Sequence, residues 1–345
     1  MYLQQVLLDI FHKFNGQRSE YAAFHLICGK RSGQTIQDVG TFGLEAYFSI
    51  MPKLTKQSYH EVFLQLIENG WLFKDEQQKL QLTVRGKSIL DKSNSFHFNG
   101  WFYRGNEHHF FKRLSLVVQT LSHVQANDFR FNPIQKDEEV QAWVKKFFKF
   151  HPYKDLKFYM EFRDEIEESI KQLLISEQSK QIVMLRLTGY KLNGLTWQQL
   201  ASEFDCEELD IQLMFVELLH RWLDFLNLES VHYPLLYELT ESVRIENLLT
   251  NSTKKTADLF GRGYSIEQIA FMRHLKTSTI EDHFVEMAMV LPDFPLSQFI
   301  DDSDVQKVML VLSETESKRL KVIREHLPQF SYFQIRLIIA AKGGE

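Results

Sequence analysis

A stretch beginning at Gly194, GLTWQQLASEFDCEELDIQLMFVELLHRW, aligns without a gap on a second beginning at Gly263, GYSIEQIAFMRHLKTSTIEDHFVEMAMVL, at one offset of 69 residues. Gly194 meets Gly263, Thr196 meets Ser265, Gln199 meets Gln268, Leu200 meets Ile269 and Ala201 meets Ala270. Each matched type has a structural task. Gly is expected to end a helix in a left-handed cap, Thr or Ser caps the next helix, and Gln three residues on completes a capping box. Ala lets two helices cross closely. Further on, Ile211, Phe215, Leu218, Leu219 and Trp222 fall on Ile280, Phe284, Met287, Ala288 and Leu291, the spacing of one buried helix face. Two helix-turn-helix units are therefore predicted, and helical periodicity sets the fold class as mostly α, in several units.

The rest of the chain divides around that repeat. Residues 1–92 read as three helices and a hairpin, with WLFKDEQQKLQLTVRG giving two short extended runs about a turn at Asp75 to Gln78. This is a winged-helix outline and the one place where β structure is expected. Residues 93–180 form an aromatic-rich helical connector, less regular up to Pro133. Residues 181–250 hold the first, degenerate helix-turn-helix unit and 251–345 the second. Two closing helices are expected in the tail, from the capping pairs Ser313 with Glu316 and Ser331 with Gln334.

Composition narrows the function classes. With 40 Lys plus Arg against 45 Asp plus Glu, the net charge of −5 gives no protein-wide field to attract nucleic acid, so any DNA contact is local. The 29 Phe residues suit helix packing. The two cysteines, Cys28 and Cys206, fit core thiols of a reduced, cytoplasmic compartment. The amino terminus lacks the pattern of a secretory leader, and no apolar run approaches the ~18 residues of a membrane span.

A helix-turn-helix reads bases with cations and amides near the start of its second helix. Taking Phe284 as the centre of the buried face and turning about 100° per residue leaves Ser278, Asp282, Val285, Glu286 and Met289 outward. That face holds no base-reading cation or amide. Glu281 and Asp282 would repel phosphate, though both favour a helix N-terminus by about 0.3–1 kcal/mol each. Asp282, Val285, Glu286 and Met289 are therefore expected to dock a protein. Arg262, Arg273, Lys276, Thr277 and Ser278, around the turn, could hold phosphates without reading sequence, or serve as solvated caps. In the first repeat Glu207, Glu208 and Asp210 open a nearly apolar helix, which reads as a buried structural copy.

Two further places offer nucleic-acid chemistry. WVKKFFKFHPYKDLKFY interleaves Lys145, Lys146, Lys149, Lys154 and Lys157 with Trp143, Phe147, Phe148, Tyr153 and Phe158, as phosphate contacts and stacking rings or as an ordinary amphipathic helix. The hairpin, with Lys74 and Lys79, could act as a wing on a duplex or pack on its own domain. No catalytic, cofactor or metal site is expected. CGKRSG lacks the first Gly and the Ser or Thr of a phosphate loop, and His108–His109 have no ligand partners at zinc spacing.

The segment GYSIEQIAFMRHLKTSTIEDHFVEMA resembles a helicase-associated helix-turn-helix module, through Ser265, Ile266, Ile269, Ala270, Arg273, Leu275, Lys276, Ser278, Thr279, Ile280, Glu281, Asp282 and His283, with Phe284 in place of Leu. Upstream, ICGKRSGQTIQD and YFSIMPKL resemble the amino-terminal part of YpbB-type bacterial proteins, which carry that module at their carboxyl end and are encoded beside a RecQ-type helicase. The winged outline also resembles the RecQ-associated winged helix. The resemblance implies a non-catalytic partner of a RecQ-type DNA helicase in repair or replication, with the acids at 281 and 282 a family trait. A sequence-specific transcription regulator and a fork or single-strand DNA binder are the alternatives.

Overall fold

The structure, a computed structural model, describes residues 1–92, 95–246, 248–291, 293–315 and 320–342. Helices α1 (Tyr2–Phe14), α2 (Glu20–Ile27), α3 (Gly33–Phe42) and α4 (Lys56–Glu68) precede strands β1 (Leu72–Lys74) and β2 (Leu80–Leu82), and α5 (Val84–Lys92) follows. Next come α6 (Gly100–Tyr103), α7 (Glu107–Gln125), α8 (Glu138–Phe150), α9 (Leu156–Gln172), α10 (Glu177–Leu185), α11 (Trp197–Glu203), α12 (Glu208–Leu228) and α13 (Pro234–Glu238). The chain closes with α14 (Asn251–Phe260), α15 (Ile266–Arg273), α16 (Thr277–Val290), α17 (Asp302–Glu314), α18 (Leu320–His326) and α19 (Tyr332–Lys342). The protein is mostly α, with one antiparallel two-stranded sheet in the register Leu72↔Leu82.

Two compact units form, each from two separate pieces of chain. One comprises residues 1–5 and 94–246; the other comprises 6–93 and 247–345. The first and last segments read from the sequence thus share a unit.

In the unit built around 94–246, α12 is the central element. Ile211, Phe215, Leu218, Leu219 and Trp222 are all at most 1% exposed, as the repeat predicts. Around them pack Phe110 and Leu114 of α7, Phe147 of α8 and Phe162 of α9. Its acids have partners: Asp210 accepts from the Leu3 amide at 2.8 Å, Glu217 from the His97 amide at 2.8 Å, and Asp224 from the Asn99 side chain and the Tyr103 hydroxyl. A run of acids seven residues apart is therefore a set of internal anchors. The segment expected to be less regular contains α7, whose Phe110, Leu114, Val117 and Leu121 are buried at helical spacing; the crowd of aromatic and His residues masked that period.

In the other unit, four helices rather than three precede the hairpin. Asp75 shapes its turn by accepting from the amides of Gln77 and Lys79, with Gln78 at φ +60°. A second core gathers Ile269, Ile280, Phe284, Val308, Ile323, Ile335 and Ile338. The tail differs from expectation at Ser313, which lies in the last turn of α17 and donates to the Leu310 carbonyl; its expected partner Glu316 lies outside the described residues. Ser331 and Gln334 do exchange bonds at the start of α19.

Candidate functional site

The two helix-turn-helix units superpose feature by feature. Thr196 with Gln199, and Ser265 with Gln268, both form complete capping boxes. Both turns place a non-glycine residue in the left-handed region at the same repeat position, Asp205 at φ +49° and His274 at φ +53°. Asp and His tolerate that conformation better than most residues, so the turn needs no glycine. Gly263 has the expected left-handed backbone, at φ +88°. Gly194 is a correction: a Cβ there would sit 2.2 Å from the Arg186 carbonyl oxygen, so close approach of backbone, not handedness, excludes a side chain.

The second helix of the second unit, α16, is enclosed beyond its exposed first turn. It packs on α14, α15 and α19, and also on α3. The expected outward face is corrected accordingly. Val285 is 3% and Glu286 6% exposed, Asp282 pairs with Arg336 of α19, and a Cβ on Gly40 of α3 would meet the Met289 sulfur. The helical wheel assumed a three-helix motif with one open side; α3 and α19 close it.

A polar clamp explains several motif residues. Glu286 accepts from the Thr250 amide at 2.5 Å and from the hydroxyls of Thr250 and Thr253, satisfying donors at the start of α14. Arg273 donates to the Ser252 carbonyl at 2.8 Å, to the Ser252 hydroxyl at 2.9 Å and to Thr256. Thr256 in turn lies 2.8 Å from Nδ1 of buried His283. Burial, reinforced by the Arg273 charge, lowers the His283 pKa to about 4, so the ring is neutral and Nδ1 accepts. Half-buried Arg273 thus ties the start of α14 to α15 and to His283. Burial also raises the Glu281 carboxyl, against the opposing charge of Arg336.

The remaining predicted cations vary in availability. Arg262 and Lys276 are exposed, as are Thr277 and Ser278. Lys74 makes an ion pair with Glu20 at 3.6 Å, and Lys79 is half-buried beside it in the hairpin. In the other unit, Lys145, Lys146, Lys149, Lys154 and Lys157 are all exposed, with Lys157 3.5 Å from Glu161. Their aromatic neighbours are not stacking platforms. Phe147 and Phe158 are buried, Phe148 and Tyr153 are half-buried, and Trp143 donates to Glu241 at 2.6 Å. Phe150 and Phe271, the two most exposed phenylalanines among the described residues, were not singled out by sequence reasoning.

Two boxed motifs with left-handed turns define a helix-turn-helix protein. Residues 252–339 match the family model described as a helix-turn-helix domain. Protein YpbB of Bacillus subtilis (strain 168) is 33% identical over 345 residues, covering 98% of this chain and 97% of that protein, and the chain belongs to the YpbB family. No solved structure matches it. Among the described residues no helix is long and apolar enough to cross a membrane.

Proposed function

We propose that this protein is a non-catalytic helix-turn-helix accessory factor of a RecQ-type DNA helicase, acting in DNA repair or replication through protein docking and sequence-independent DNA contact. The observation that carries the sequence-independent part of this reading is the enclosure of α16 beyond its first turn. A helix that reads a major groove reaches base edges with the side chains of its first turns, whereas past Ser278 α16 is covered by α3, α14, α15 and α19, and its start carries Glu281 and Asp282 in place of cations or amides. That weighs against a sequence-specific regulator, and the resemblance to a helicase-associated module supplies the partner. The test is co-purification of the tagged protein with the RecQ-type helicase of its own organism, together with anisotropy on operator-free duplex, forked and single-stranded DNA. Capture of the helicase without discrimination among duplex sequences supports the reading. Failure to capture it, or selection of one duplex by ~10³-fold, overturns it.

Direct fork or single-strand binding is a second reading, favoured by the five exposed lysines on α8, the start of α9 and the segment between them. Replacing Lys145, Lys146 and Lys149 with Gln should then lower the slope of log affinity against log salt by about 2.

A further inference from the structure

The two repeats share their capping boxes and the left-handed residue of the turn, so positions around those features where their surfaces differ are free of the demands of the motif. At the end of the first motif helix and through the turn, Ser202, Glu203, Asp205 and Glu207 of one copy stand against Phe271, Met272, His274 and Lys276 of the other. One copy carries an ordinary acidic solvent face. The other has exchanged three acids for a thioether, an imidazole and an ammonium, and a hydroxyl for a phenyl ring. Phe271 is 80% exposed, the most exposed aromatic ring among the described residues, and Met272 is 47% exposed.

The surroundings match that change. Residues 251–276 carry five Lys or Arg against two acids, in a chain of net charge −5. The matched stretch 182–207 carries two cations and three acids. One turn before Phe271 on α15, Gln268 borders an open hollow of about 500 Å³, lined also by Phe260, Gly261, Gly263, Tyr264 and Gln298. That volume falls within the range of small-molecule sites, ~300–1,000 Å³. The Oε1 of Gln268 is held by the Ser265 amide at 2.9 Å, so its NH₂ group is what faces a guest. Tyr264 is 38% exposed at the rim, and Arg262 lies exposed between the two glycines.

We infer that the exposed face of α15, with Phe271 and Tyr264 as stacking rings and Arg262, His274 and Lys276 as phosphate contacts, binds single-stranded nucleic acid. Unpaired bases stack on exposed aromatic rings while cations track the backbone, a combination a paired duplex cannot use because its bases are stacked on one another. The inference rests on the nucleic-acid part of the proposed function and is independent of its helicase part.

The experiment is anisotropy of the full chain with fluorescein-labelled oligothymidine, oligouridine and a blunt duplex, the two single strands separating a DNA from an RNA ligand. Variants are Phe271→Ser, Phe271→Trp and the exchange F271S/M272E/H274D/K276E, which installs side chains the first repeat already carries on the same backbone. We expect tighter binding to single strand than to duplex, about tenfold loss in Phe271→Ser, and still greater loss in the exchange variant. Phe271→Trp should bind as the parent does, with its added indole emission quenched by the strand. Parental affinity in Phe271→Ser and in the exchange variant overturns the inference. So does equal loss on single strand and duplex, or an unquenched indole in a strand-bound Phe271→Trp protein. If the exchange variant keeps its strand affinity but no longer captures the helicase, the face belongs to a protein partner and the inference also fails. Helicase capture is read on the same variants, so loss of the partner reading alone leaves the strand result standing.

Discussion

Glu286 and His283 show how a side chain's meaning depends on what reaches it from elsewhere. On a helical wheel Glu286 is a surface acid; in the fold its carboxylate holds the amide and hydroxyl donors that open α14. Glu286→Ala leaves those donors unpaired in a buried place, and we expect a loss of about 2–3 kcal/mol in urea unfolding. Little change in stability with lost partner capture would reverse the assignment. His283 makes the fold pH-sensitive in a definite direction. Its folded pKa, about 4, lies below the ordinary 6.5. The unfolded chain therefore takes up the proton first as pH falls. Its contribution is complete above pH 6.5 and is lost between there and pH 4, amounting to at most ~3 kcal/mol. The urea midpoint should fall over that window, and His283→Asn, which keeps an acceptor where Nδ1 stands, should flatten the fall.

At the scale of elements, the matched helix-turn-helix copies separate what can be read locally from what cannot. Capping boxes involve residues three apart, so Thr196 with Gln199 and Ser265 with Gln268 were legible in the letters alone. So was the buried series from Ile211 to Trp222. The covering of Val285 by α3 was not, because no periodicity within α16 records a partner from the other end of the chain. The bonds of Arg273 were illegible for a related reason: the acceptors on Ser252 and Thr256 belong to another helix. The two glycines give a direct comparison. Gly194→Ala drives a Cβ to 2.2 Å from a carbonyl oxygen that cannot rotate away. Gly263→Ala enters open space and bears only the left-handed strain of φ +88°, about 1–2 kcal/mol. Melting temperatures should rank Gly194→Ala clearly below Gly263→Ala; the reverse order would refute the close-approach account.

At the scale of the whole molecule, the family match at 252–339 does not mark a folding boundary. Its central helix is covered partly by α3, so the fragment 251–345 alone would expose Val285 and Met289 to water. We expect that fragment to melt well below the full chain, and to regain stability when residues 6–93 are supplied in trans. Equal melting temperatures for fragment and full chain would show that α3 contributes nothing. A wheel drawn on the motif could not anticipate this, since the two pieces of the unit are separated in sequence by the whole of 94–246.

That separation imposes an order on biosynthesis. The piece bearing α12 is synthesised before α14 to α19 and leaves the ribosome ahead of them, so it can close first. Within residues 6–93, made first, the face of α3 that α16 and α19 cover must wait for the last helices, and it is the part of the nascent chain that stays open longest and most needs a chaperone's cover.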